Sequence, residues 1–317
     1  MKFGKKTIVT SMAVSLALIL GACGNDDAAE PAATEETDQA ATETEETPET
    51  TETETTETEG PKQLAGGPLQ DGTYTLEEKE ISDKGWKATF SIAVTDGKIT
   101  ESNYNYVDAD GKLKTDDEAY QKNMSDKTGV GPKDYIPALN DDLVAKQDAQ
   151  QVEIVTGATH SSESFMNYAQ QLIQAAQAGD TETIIIDAAA PLQDGEYSLE
   201  EKNIGATGWK TVFKMTVENG KITKSDFANF NAEGMNKLED EAYQKNMSEK
   251  AGVGPKEYFP ALNDQLVEKQ SAAGVEVVTG ATHSTHTFKL YAEQLINAAQ
   301  KGDTTPIVVD NIVFEKQ

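Results

Sequence analysis

Sliding the sequence against itself by 123 positions aligns residues 68–187 with 191–310 without a gap, and 73 of the 120 pairs are identical, Trp86/Trp209, Pro132/Pro255 and Thr159/Thr282 among them. A period of this length is a whole domain, not a solenoid unit. The chain must therefore build one small fold twice. The expected copies are 67–189 and 190–317, joined at a short Ala189-Ala190 seam.

Within a copy, the hydrophobic pattern predicts strands first. Residues 72–79 alternate polar positions with Tyr74 and Leu76. Residues 86–94 follow, with Trp86, Ala88, Phe90, Ile92 and Val94 on one face, and Asp96-Gly97 reads as a hairpin turn into 99–107. A helix is expected over 116–127, stopped by Gly129-Val130-Gly131-Pro132, and another over 137–146. A short strand over 152–155 leads into Thr156-Gly157-Ala158-Thr159-His160-Ser161-Ser162. Phe165, Tyr168, Ala169, Leu172, Ile173 and Ala176 then mark one helical face before Gly179, and 184–186 reads as a last strand. An antiparallel meander plus helices is an α+β fold.

The first 66 residues belong to neither copy. Lys2, Lys5 and Lys6 precede an apolar run over 7–20 that is too short to span a bilayer permanently, so 1–22 reads as a signal peptide. Leu20-Gly21-Ala22-Cys23 resembles a bacterial lipobox, in which the cysteine is diacylated and becomes the mature N-terminus. Cys23 is the only cysteine of the chain, which excludes an intramolecular disulfide and a thiolate metal cluster. Residues 23–66 are Thr, Glu, Ala and Pro with almost no large apolar side chain, a composition expected to be disordered. Between Gly24 and Gly66 the net charge is -13. Such a segment would act as an extended tether, averaging roughly 35 Å or more end to end.

Charge narrows the partners. The formal net charge is -28, and every one of the 27 basic residues is Lys. Nucleic acid is excluded as a direct partner, because phosphate binding needs a positive field. Without Arg the chain lacks the forked donor commonly used to hold a phosphate, so a phosphate-bearing ligand must be held another way.

The junction ahead of the last helix carries the most chemistry. In both copies Thr-Gly-Ala-Thr-His-Ser stands directly before an amphipathic helix. Gly157 and Ala158 leave little bulk beside Thr159, and the helix start offers unpaired N–H groups and a positive dipole end. The same residues also suit plain capping, with Thr159 or Ser161 as the N-cap. A covalent phosphoester at the threonine would solve the holding problem in a chain without Arg.

Val155-Thr156-Gly157-Ala158-Thr159 and Val278-Thr279-Gly280-Ala281-Thr282 resemble the attachment motif of the FMN-binding domain family, whose members include FMN-carrying subunits of the sodium-pumping NADH:quinone oxidoreductase and of Rnf complexes. The resemblance implies two tandem FMN-binding domains after the tether, with FMN esterified through its phosphate to Thr159 and Thr282. A separate, magnesium-dependent flavin transferase using FAD would make the bond. Thr156, Gly157, Ala158 and His160, with Thr279, Gly280, Ala281 and His283, would surround the cofactor. It further implies an electron carrier, not a turnover enzyme, lipid-anchored on the extracellular face of a Gram-positive type membrane. An NADH dehydrogenase and the membrane quinone pool would supply electrons, and ferric iron or soluble flavins outside would take them. The rival expectation is a cofactor-free surface lipoprotein, an adhesin or ligand-binding module.

Other residues weigh less. His283 and His286 could share a helix face, but two ligands make a poor zinc site. Trp86 and Trp209 read as core strand residues more readily than as flavin platforms. Tyr120/Tyr243, Met124/Met247 and the loop 129–135 with its twin 252–258 are candidates to cover the flavin ring.

Overall fold

A computed structural model describes residues 62–315. The leader, Cys23 and nearly all of the acidic segment lie outside the described residues. After a short strand β1 (Gln63–Ala65), copy 1 opens with the meander β2 (Gly72–Glu78), β3 (Lys87–Thr95) and β4 (Lys98–Val107). Strand β3 buries Ala88, Phe90, Ile92 and Val94 and turns the intervening side chains outward, so a period of two fixes which face meets the core. Asp96 at φ 51° and Gly97 at φ 71° make the tight β3–β4 turn, whose two left-handed positions match the twist of the strands.

Three helices follow: α1 (Glu118–Thr128), α2 (Pro132–Lys146) and α3 (Thr159–Ala178). Strand β5 (Ile184–Ile186) then returns parallel to β2, giving the sheet order β4-β3-β2-β5. Copy 2 repeats the plan with β6 (Gly195–Glu201), β7 (Lys210–Glu218) and β8 (Lys221–Phe230), helices α4 (Glu241–Ala251), α5 (Pro255–Lys269) and α6 (Thr282–Lys301), and β9 (Ile307–Val309) parallel to β6. The α+β fold with one meander per copy is thus as expected. A final strand β10 (Val313–Phe314) pairs antiparallel with β1, so the two ends of the described chain close on each other.

Helix α3 is buried along Phe165, Ala169, Leu172, Ile173 and Ala176. Phe165 packs 4.8 Å from the Phe90 ring and 5.2 Å from the Tyr104 ring, centroid to centroid, which locks helix to sheet. Each such large apolar side chain contributes about 1.5–3 kcal/mol by leaving water. Gly179, in the left-handed region at φ 68°, ends the helix.

Two sequence expectations are corrected. Residues 152–155 form no strand, nor do 275–278. Their backbone donors are taken by side chains: Glu153 N–H donates to Asp142 Oδ2 (2.8 Å) and Val155 N–H to Ser162 Oγ (3.1 Å). The second helix starts at Pro132, not at residue 137. Proline occupies its first position, where no N–H is required, and Asp134 accepts from Gly131 N–H at 2.7 Å.

The copies join through α3 and α6. Glu163 meets Lys289 at 2.5 Å, Asn167 Nδ2 donates to Leu290 O at 3.0 Å, and Gln174 Nε2 donates to Gln294 Oε1 at 3.3 Å. These contacts advance together along both helices, so α3 and α6 run side by side in parallel. Both motif helices therefore begin at the same end of the pair. Asn167, Gln170, Gln294 and Asn297 are buried at this seam, more polar than the interior of either copy.

Expressed alone from residue 190, copy 2 should keep its own sheet but uncover the α6 flank and leave β10 unpaired. A native-like far-UV circular dichroism spectrum with a lower Tm than the full chain is expected. A Tm equal to that of the full chain would show that the seam adds nothing.

Candidate functional site

The threonine motif sits on a turn that has no room for a side chain. Gly157 adopts φ +87°, and a Cβ there would lie 2.5 Å from the Thr128 carbonyl oxygen and 3.1 Å from Val130 Cγ2. In copy 2 the corresponding clash at Gly280, φ +85°, is 2.3 Å from the Ala251 carbonyl oxygen. The motif is thus pressed against the C-terminal end of α1, or α4, and the loop that follows it. Ala158 and Ala281 are buried under the turn, while Thr159 and Thr282 are exposed.

Neither threonine is an N-cap. Ala158 and Ala281 hold the cap positions and offer no side-chain acceptor, and Thr159 and Thr282 are the first residues of α3 and α6. The first helical bond from the cap carbonyl is Ser162 N–H to Ala158 O, at 2.9 Å. The N–H groups of Thr159, His160 and Ser161 have no acceptor among the described residues and stay available to an anion. Ser162 stabilises this arrangement from behind. Its hydroxyl, wholly buried, donates to Ala158 O (3.1 Å) and accepts from Val155 N–H. Thr285 does the same in copy 2, with Ala281 O and Val278 N–H.

His160 and His283 are exposed beside the threonines. The His160 side chain is 83% exposed, with Nδ1 3.8 Å from Glu163 Oε2. His286 is different: it faces the α3–α6 seam, with Nδ1 4.0 Å from Glu163 Oε1, and burial pushes its pKa down. With Lys289, Met166 and Leu290 these groups line a cavity of about 360 Å³ between the two helices. Among the described residues, no three His, Cys, Asp or Glu side chains gather as a metal site.

A second feature recurs in each copy. The Lys114 ammonium lies 4.2 Å from the Tyr106 ring centroid, 4.4 Å from Tyr120 and 5.7 Å from Trp86. Lys237 repeats this with Tyr243 at 4.3 Å and Trp209 at 5.2 Å. Burial pushes both lysines down to about 8. The cage of copy 1 reaches the motif through Tyr106, whose hydroxyl lies beside that of Ser161 in the first turn of α3. Tyr135, at the start of α2, is also beside Ser161 but finds no hydrogen-bond partner, and Tyr258 beside Ser284 is its twin. Trp86 and Trp209 thus precede their strands and wall a cage, with Tyr120 and Tyr243 opposite. Loop 129–135 borders the motif turn, with Val130 against Gly157. The copies differ in one respect. Copy 1 pairs the Tyr104 and Tyr106 hydroxyls at 2.5 Å, where copy 2 carries Phe227 and Asn229, and the Asn229 Oδ1 is buried without a partner.

An exposed threonine, free helix-start N–H groups and a buried cation in an aromatic cage suit a phosphate-bearing, flat, electron-poor ring, so the residues present fit FMN. Comparison with known proteins agrees. The sequence model of the FMN-binding domain matches residues 84–174. A relative, the 15 kDa lipoprotein of Treponema pallidum (strain Nichols), is 33% identical over 117 residues, which are 37% of this chain and 83% of that protein. The chain belongs to the FMN-binding domain family. It is also similar to two solved proteins. A Clostridium perfringens protein is 39% identical, with 38% of this chain and 98% of that one covered and a TM-score of 0.36. A Clostridium thermocellum protein is 26% identical, with 34% and 92% covered and a TM-score of 0.24. The domain match supports FMN as the cofactor.

Ser162 and Lys114, with their twins, escape the sequence reading. For the lysine one signal existed: over 112–116 against 235–239, Lys114/Lys237 is the single identical pair.

Because the Ser162 and Thr285 hydroxyls do the same work, Thr285→Ser should be nearly neutral. Thr285→Ala and Ser162→Ala leave a backbone N–H unpaired and should each cost about 1–3 kcal/mol in urea unfolding. Equal stability of Thr285→Ala and Thr285→Ser would dismiss the hydroxyl as a support.

Proposed function

We propose that this chain is a lipid-anchored extracellular electron carrier bearing two FMN groups, esterified at Thr159 and Thr282. The observation that carries the reading is the threonine itself. It stands exposed at the first position of an uncapped helix, on a turn packed too tightly for any side chain at Gly157, and the arrangement is duplicated at Thr282 and Gly280. A flavin transferase would deliver FMN from FAD: the threonine Oγ attacks the FMN-side phosphorus, the pyrophosphate bond breaks, and AMP leaves.

The roles of the chain's own groups follow from their placement. The N–H groups of Thr159, His160 and Ser161 would hold the phosphate oxygens, which answers how a chain without Arg can bind one. His160 and His283 stand next in line as further donors. Bound FMN would supply one- and two-electron chemistry, linking a quinol donor to one-electron acceptors such as ferric iron. A covalent bond prevents loss of the cofactor beyond the membrane, where it could not be recaptured. The parallel pairing of α3 and α6 supports a shared task, since both threonines stand at one end of the helix pair. Anchoring through a diacylated Cys23 is consistent with the lipoprotein name of the Treponema relative. The quinone pool and an NADH dehydrogenase remain the proposed source of electrons, and ferric iron or soluble flavins the proposed sink.

Co-expression with a flavin transferase should add the mass of two FMN groups less two waters. Thr159→Ala and Thr282→Ala should each remove one, read by intact mass spectrometry. Covalent flavin on the doubly substituted chain would refute the site assignment.

The two copies together carry a formal charge of about -18. Reduced protein should therefore pass electrons faster to a cationic ferric complex than to an anionic chelate of similar potential. The gap should narrow with salt as the screening length falls to about 8 Å. Stopped-flow oxidation across a salt series checks this, and identical salt slopes for both acceptors would rule out steering.

A further inference from the structure

Lys114 is 7% exposed and Lys237 5%, yet neither ammonium has a carboxylate within ion-pair distance or a hydrogen bond among the described residues. An ammonium drawn partly out of water without a counter-charge is costly, and the faces of two or three aromatic rings return only part of that cost. The nearest acids are committed elsewhere. Glu78, which acts on Lys114 from a distance, accepts from the Tyr168 hydroxyl at 2.6 Å and from Ala88 N–H at 2.8 Å. Asp240, the acid nearest Lys237, caps α4 by accepting from Tyr243 N–H at 2.8 Å. Lys84, the other charged group acting on Lys114, is itself a cation and adds to the positive field.

The same unmatched cation recurs in both copies, within a segment where every neighbouring residue differs. In copy 1 it lies against Tyr106, whose hydroxyl borders Ser161, two residues after the motif threonine. In copy 1 an anionic group seated at the helix start would therefore meet this cation, and the repeat places Lys237 at the corresponding position of copy 2. The cage rings pack on the ammonium itself, and the phosphate is served by the free N–H groups of the first turn.

We propose that Lys114 and Lys237 are positioning residues for the flavin ring, each the counter-charge for the negative charge that the ring at Thr159 or Thr282 gains on reduction. This rests on the flavin reading above and goes beyond it, by assigning the residues that set each site's potential. A fixed cation beside a group that becomes negative favours the reduced form and raises its midpoint potential.

The test uses full-length chain carrying one flavin, in the Thr282→Ala background for Lys114 and the Thr159→Ala background for Lys237. Intact mass is recorded first. Absence of covalent FMN from the parent chain would overturn the flavin reading and this inference with it. With FMN present, spectroelectrochemical titration should show the midpoint potential falling in Lys114→Met and staying near the parent value in Lys114→Arg. Lys122→Met, which removes an exposed charge on the same copy, should not move it. Lys237→Met should lower the other site's potential in the same way. Circular dichroism separates loss of fold from loss of charge. A potential unmoved in folded Lys114→Met and Lys237→Met, or lowered equally by Lys122→Met, would overturn the proposal.

Discussion

The close approach of the Gly157 turn to the end of α1 is the constraint on which the site depends. A helix start is an electrostatic resource only if its N–H groups are left free and its first side chain stays accessible. Both conditions follow from this contact. Because the turn is wedged against the Thr128 carbonyl, the chain enters α3 through a small, buried alanine, and no capping oxygen is offered. The helix is stabilised from below by the Ser162 hydroxyl, which ties the cap carbonyl to the approaching strand-like segment. Stability is supplied on the buried side, and the solvent side is left open.

Much of this was legible in the sequence. The 123-residue repeat is visible without any structural knowledge, and the β3 alternation and the α3 stripe follow from periods of two and 3.6. The motif marked the candidate site because Gly157 and Ala158 leave little bulk beside Thr159. Residues 152–155 misled, since Val152, Ile154 and Val155 look like a strand. They pair with no strand because side chains outside the run, Asp142 and Ser162, take the Glu153 and Val155 donors. Side-chain capture of backbone groups leaves no periodic trace. Lys114 was invisible for a related reason: its partners Trp86, Tyr106 and Tyr120 come from three separate elements. The start of α2 was missed because Pro132 was read as a stop, although proline suits the first position of a helix equally well.

The two copies have diverged where it matters chemically. The core aromatics Phe90 and Phe213 are kept, as are the lysine cages, yet Tyr104 and Tyr106 face Phe227 and Asn229 in the other copy. The polarity around the first turn of α3 therefore differs from that of α6, while the backbone geometry is shared. Duplication supplies two equal frames, and a few side chains make their interiors unequal.

Strands β1 and β10 give the molecule a mechanical property. Gln63 and Ala65 pair with Phe314 and Val313, and Glu315 N–H donates to Lys62 O at 2.8 Å. Any pull on the chain ahead of Lys62 is borne first by this clasp, hence by the edge of copy 2, before it reaches the sheet of copy 1. Load entering at the N-terminal side is shared across both halves of the protein. Helices α3 and α6, paired with each other and each packed on its own sheet, are the last elements to feel it.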